Sequence, residues 1–198
     1  KDVCIAGTEN SGDRKIWLDF IKDIKKLYDV KQSVQKMLEY DEKIKDIADE
    51  IKDSESMFYL GRGLDYVIAV EGALKSKEIS YIHSEAFASG ELKHGTIALI
   101  TDGVPVVVNA TQSDLFEKSV SNIKEVTSRG AYVIAIAKEG NTVVEEVADE
   151  VFYIPNVEDD YAGFPTIVIH QLLAYYLSKL KGNDVDKPRN LAKSVTVE

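Results

Sequence analysis

The sequence has little of what builds disulfide-held, metal-bearing or membrane-spanning proteins. It contains one cysteine, Cys4, in 198 residues; no internal disulfide can form, and nothing marks a secreted fold. Its three histidines, at 83, 94 and 170, lack metal-ligand spacing, and Cys4 is remote from them, so no metal site is expected. Gly-x-Ser-x-Gly does not occur, which removes one common serine-nucleophile arrangement. No apolar run is long enough to span a bilayer, and the polar start at Lys1-Asp2 is not expected to be a signal peptide. Positive charge is in deficit: 24 Lys and Arg against 34 Asp and Glu give a net charge of −10. An acidic surface repels nucleic acid and anionic membranes, so neither is expected as a partner. An anionic ligand would need local cationic groups against that field. The expected location is the cytoplasm.

What is present is ordinary for a globular protein: 44% hydrophobic and 29% charged residues, in a length that fits one domain with a real core. Residues 1–13 carry turn chemistry and no periodicity. Apolar residues at helical steps predict two amphipathic helices, about 14–28 and 31–52. Short apolar runs follow: Met57 to Leu60, a weaker Ile79 to Ile82 ahead of His83, Val104 to Val108, Tyr132 to Ala137 and Val151 to Ile154. Continuous rather than alternating apolar strands imply burial on both faces, as in a parallel sheet. Helical segments are predicted between them, over 65–77, 114–129 with Gly130 as the stop, and 141–148. Pro165 fits the first turn of a last helix, and Lys179 to Gly182 fit its end. The alternation gives an α/β three-layer αβα sandwich with about five parallel strands, doubly wound, with ligands expected beyond the carboxyl ends of the strands.

Several residues could carry chemistry, each with a plainer reading beside it. Gly61-Arg62-Gly63 follows a strand and opens a helix, where glycines let backbone amides approach an anion; Tyr66 stands where the third glycine of a dinucleotide fingerprint would fall, and an ordinary tight turn fits as well. Glu71, Lys75 and Glu78 share one helix face and suit an acid–base pair or a solvated ion-pair stripe. His94, in Gly90-Glu91-Leu92-Lys93-His94-Gly95, is exposed enough to exchange protons or to be a surface histidine. His170 sits among Ile167, Val168, Ile169, Leu172 and Leu173 and reads as a satisfied core histidine; His83 stays open. Lys193 could condense with a carbonyl were its pKa lowered, or be one more terminal lysine.

Taken together and in order, these segments resemble a known family. Leu60-Gly61-Arg62-Gly63, Glu71-Gly72-Ala73-Leu74-Lys75, Lys77-Glu78-Ile79-Ser80-Tyr81-Ile82-His83, Glu85-Ala86, Gly90 to Gly95 and the tail from Asp184 to Glu198 are similar to the glutamine–fructose-6-phosphate aminotransferases (isomerising). The likeness is to the second of their two sugar-isomerase (SIS) halves, a flavodoxin-like domain, and runs from about Lys31 to Glu198. It divides the chain into a lead-in over 1–30, an SIS domain over 31–182 and a catalytic tail over 183–198.

The resemblance implies conversion of fructose 6-phosphate and ammonia to glucosamine 6-phosphate, with no cofactor. Lys193 matches the lysine that forms a Schiff base with the open-chain ketose, and Glu78 the carboxylate that moves a proton between the first two sugar carbons. Lys75 matches a lysine assisting that traffic. His94 matches a ring-opening histidine that reaches in from a second subunit, which implies a homodimer. Ala192 matches a residue whose backbone touches the sugar. The chemistry is reasonable, since an iminium is a better electron sink than a ketone.

Three departures stand out. The Ser-Gln-Ser-Gly-Glu-Thr phosphate loop of the family's first half has no counterpart here, Cys4 does not match its glutaminase cysteine, and Thr96 replaces the proline common after His-Gly. The first SIS half and the glutaminase domain are therefore implied partners. The alternatives are a sugar-phosphate-binding module without turnover, which the missing phosphate loop favours for the isolated chain, and a dimerisation module, which would show an exposed apolar helical face and no convergence of the catalytic side chains.

Overall fold

The computed structural model describes residues 11–189, with side chains from Lys15. Helix α1 (Ser11–Met37) leads through a short 3-10 turn (Leu38–Tyr40) into α2 (Asp41–Ile51). Strand β1 (Ser56–Gly61), helix α3 (Leu64–Ser80) and strand β2 (His83–Ala88) follow. The rest runs β3 (Pro105–Ala110), α4 (Phe116–Thr127), β4 (Tyr132–Lys138), β5 (Glu150–Ile154) and α5 (Gly163–Leu180).

The five strands are all parallel in the order β2-β1-β3-β4-β5. Alternate residues of each strand serve opposite faces, and the central strands are apolar on both. Met57, Tyr59, Val107, Ile134 and Ile136 pack with Ile44, Ile47, Ala69, Ala73, Ile169 and Leu173 of α2, α3 and α5. Phe58, Leu60, Val106, Val108, Val133 and Ala135 pack with Val120, Ile123 and Val126 of α4. This is the expected three-layer sandwich, and each fully buried aliphatic side chain contributes about 1.5–3 kcal/mol. Because β1 is flanked by β2 on one side and β3 on the other, the chain reverses direction across the sheet between them, leaving a switch point at their carboxyl ends.

Three expectations are corrected. The break anticipated near residue 30 does not occur: α1 runs on to Met37, and the bend falls where Met37 is buried and Tyr40 docks on β5, its hydroxyl accepting from Tyr153 N at 3.2 Å and its ring edge-on to Phe152. The strand expected over 79–82 starts at His83 instead. Ile79 and Ser80 complete α3, where Ser80 Oγ donates to Ser76 O at 2.7 Å, and β2 is an edge strand that needs no continuous apolar run. The helix expected over 141–148 is a 3-10 turn, Thr142–Glu146. Gly130 and Gly182 end their helices with positive φ (86° and 75°), and Pro165 lies in the first turn of α5, as anticipated.

Candidate functional site

Helix α3 carries the acidic–basic face read from the sequence. Lys75 Nζ donates to Glu78 Oε2 at 3.0 Å and lies 3.4 Å from Glu71 Oε1. The bond to Glu78, with the charge of Glu71 behind it, raises the lysine pKa above its ordinary value despite partial burial. Lys75 is therefore an ammonium at neutral pH, and its bond holds the Glu78 carboxylate in place. The pair is about one-third exposed, so it adds little to stability and is open to a ligand.

The position of this pair differs from the expectation of a cleft at the carboxyl ends of the strands. Helix α3 starts there, at the end of β1, and a rise of 1.5 Å per residue carries Glu78 about 20 Å to the opposite edge, where β2 begins. The last described segment, residues 183–189, comes to the same edge. Ser178 Oγ of α5 and Asn183 Nδ2 beyond it both donate to Ile79 O, at 2.8 and 3.3 Å. Pro188 is buried. Arg189 N–H donates to Tyr81 Oη at 3.0 Å, and its guanidinium carbon lies 4.0 Å from the Tyr81 ring centroid. Tyr81 and Arg189 were not singled out by sequence; the one local signal is a bulky residue where a helix-ending glycine is usual. Ala192 and Lys193 lie outside the described residues.

The histidines separate cleanly. His94 ends a 3-10 turn (Leu92–His94) and is largely exposed, 3.9 Å from Glu91 Oε2. Leu92 anchors that turn to the α4 face of the sheet, whereas α3 packs on the other face through Ala69 and Ala73. Within one chain the sheet thus lies between His94 and Glu78. His83 is exposed at the start of β2, 3.5 Å from Glu85. His170 is fully buried, and burial pushes its pKa down to about 3. Its Nε2 meets Asn109 Oδ1 at 3.0 Å, while Asn109 Nδ2 donates to Asp65 O, which leaves Nε2 as the protonated nitrogen. Nδ1 has no partner, so this core histidine is only half satisfied.

At the switch point, the donors of Thr111, Gln112 and Ser113 are spent internally. Thr111 N donates to Asp65 Oδ2 at 2.8 Å, Gln112 N to the same oxygen at 3.2 Å, and Thr111 Oγ1 to Asp65 Oδ1. Burial raises the Asp65 pKa against these bonds. Ser113 N and Oγ each donate to the Asp159 carboxylate at 2.8 Å, which also holds the buried Lys138 ammonium. Burial pushes Asp159 up, but the bonds from Lys138 and Ser113 outweigh it and leave its pKa lowered. Arg62 Nε donates to Asn122 Oδ1 at 2.9 Å. Gly61-Arg62-Gly63 is the ordinary tight turn: a Cβ on Gly61 would lie 2.3 Å from the Asp65 backbone, and Gly63 has φ 56°. Among the described residues no group of three or more His, Cys, Asp or Glu could hold a metal ion, and no helix is long and apolar enough to cross a membrane.

Residues 50–180, from the end of α2 through α5, match the SIS domain family. The chain belongs to that family. The chain is 55% identical over 181 residues to the glutamine–fructose-6-phosphate aminotransferase (isomerizing) of Caldanaerobacter subterraneus subsp. tengcongensis, covering 91% of the chain and 29% of the relative. It is 58% identical over 167 residues to the protein of the same name from Clostridium acetobutylicum, covering 84% of the chain and 28% of that relative. The C-terminal domain of glucosamine-fructose-6-phosphate aminotransferase from Francisella tularensis superposes with a TM-score of 0.79 at 39% identity, over 86% of the chain and 49% of that domain. The chain thus spans less than a third of the curated relatives it matches, and about half of the solved C-terminal domain.

Proposed function

We propose that this SIS domain supplies the proton-transfer half of an isomerising glutamine–fructose-6-phosphate aminotransferase, making glucosamine 6-phosphate from fructose 6-phosphate and ammonia released from glutamine. The observation that carries the reading is the return of the tail to the end of α3 that bears Lys75 and Glu78. Lys193 follows Arg189 by four residues in the sequence. In this reading the Lys193 amine condenses with the ketose carbonyl and releases water. Ammonia then displaces the lysine from the resulting iminium, which frees the Lys193 amine and leaves a sugar imine; Glu78 moves a proton from the first to the second carbon of that imine, and Lys75 holds its carboxylate and relays protons. Ala192 gives the sugar a backbone contact.

His94 opens the ring from a second copy of the chain, consistent with its place across the sheet from Glu78. Helix α3 also exposes an apolar row, Leu64, Val67, Val70 and Leu74, which supports the homodimer and fits the dimerisation part of the alternative reading. Phosphate anchoring is assigned to the absent first SIS half, since Thr111, Gln112 and Ser113 at this domain's own switch point already donate to Asp65 and Asp159. A glutaminase domain supplies the ammonia. The acidic composition and single cysteine suit a cytoplasmic setting.

Turnover measured on the chain alone and with an added first SIS half tests this. Little or no glucosamine 6-phosphate is expected from the chain alone, and synthesis is expected with both. Borohydride reduction of the two-part mixture with fructose 6-phosphate should fix a hexose phosphate on Lys193. Glu78→Gln should keep the adduct and lose turnover by roughly 100-fold or more. An unmodified Lys193 in an active mixture sinks the assignment.

A further inference from the structure

Among the described residues Tyr81 is the only non-glycine with a positive φ, 62° with ψ 14°. In the left-handed region a Cβ crowds the following carbonyl, and glycine, which has none, is the usual residue at a helix end of this geometry. The sequence therefore keeps a less favourable residue at the last turn of α3. The side chain's recorded contacts are to the tail: its hydroxyl accepts from Arg189 N, and its ring lies under the Arg189 guanidinium. Between Asn183, bonded to Ile79 O, and Arg189, the tail turns on its own bonds, Asp186 N to Asp184 Oδ1 and Lys187 N to Asp184 O, and Pro188 is buried.

We propose that Tyr81 is a positioning residue: its left-handed backbone turns the ring outward to clamp the C-terminal tail onto the end of α3 that bears Glu78. The clamp has two ends, Ile79 O for Asn183 and Tyr81 for Arg189, so it holds residues 183–189 along that end of α3. It deepens the catalytic reading and rests on it for its purpose; as a physical contact it is measured without turnover.

Hydrogen–deuterium exchange over residues 181–189 of the 198-residue chain, with thermal melting alongside, tests the clamp. In Tyr81→Gly, tail exchange should quicken by about ten- to thirtyfold, the combined effect of one hydrogen bond and one cation–π contact. Its Tm should equal or exceed that of the unaltered chain, because glycine accepts the left-handed conformation. Tyr81→Phe keeps the ring and loses the hydroxyl, so its exchange should fall between the two. Arg189→Ala leaves α3 and the backbone N–H to Tyr81 Oη intact and removes the cation–π contact alone, so its exchange too should fall between the unaltered chain and Tyr81→Gly. Unchanged tail exchange in either Tyr81→Gly or Arg189→Ala overturns the proposal. So does a Tyr81→Gly chain that melts well below the unaltered one or fails to fold, since Tyr81 would then be part of the core. A clamped tail with no Lys193 adduct overturns the catalytic reading alone; an adduct formed on a freely exchanging tail overturns the clamp alone.

Discussion

At the scale of single residues, His170 makes the sharpest statement about pH. Its folded pKa of about 3 lies below the ordinary 6.5, so the unfolded chain binds the proton and the folded one refuses it. The stability this group contributes is present above pH 6.5 and is lost as the pH falls toward 3, at about 1.4 kcal/mol per pH unit. Urea melts between pH 7 and pH 4 should show that slope, and His170→Gln, which can still donate to Asn109, should remove most of it while costing about 1–3 kcal/mol at pH 7. A variant with the original slope would place the acid sensitivity elsewhere. The burial of this histidine was legible from its neighbours Ile167 to Leu173. Its unpartnered nitrogen was not, because the bond that fixes the tautomer comes from Asn109 on β3. Asp65 was hidden for the same reason: its partners Thr111 and Gln112 are remote in sequence.

At the scale of elements, α3 links the two ends of the sheet, and its fit is set by two glycines. A Cβ on Gly72 would lie 2.8 Å from His170 Cγ and 3.0 Å from Tyr59 Cε1, so Gly72 lets α3 and α5 approach. Gly72→Ala should cost about 1–3 kcal/mol in chemical denaturation. Gly61→Ala, which meets the backbone of Asp65 itself, should cost more; a Gly61→Ala chain as stable as the original would show that the turn relaxes freely. The strands buried on both faces were readable because each is a continuous apolar run. Strand β2 was misplaced because an edge strand escapes that requirement, and its boundary is set by a left-handed Tyr81 that helical periodicity does not reveal. The Lys75–Glu78 pair was legible from spacing, but whether it stood alone on the surface depended on where the tail returned, which lies beyond any local pattern.

At the scale of the whole molecule, the apolar row of α3 and the exposed Ile16, Trp17, Phe20 and Ile24 of α1 are the surfaces the proposed dimer would cover. The chain should sediment as a dimer at micromolar concentration, and Val67→Glu should weaken that dimer by roughly tenfold or more. A monomer at all concentrations would remove the support α3 lends to a two-chain site. Consider next the sheet that separates His94 from Glu78 in each copy. If each site draws its glutamate from one chain and its histidine from the other, two differently crippled preparations can repair each other: Glu78→Gln and His94→Ala, each inert when supplied with the first SIS half, should regain synthesis once mixed and allowed to exchange subunits, since every hybrid pair assembles one undamaged centre.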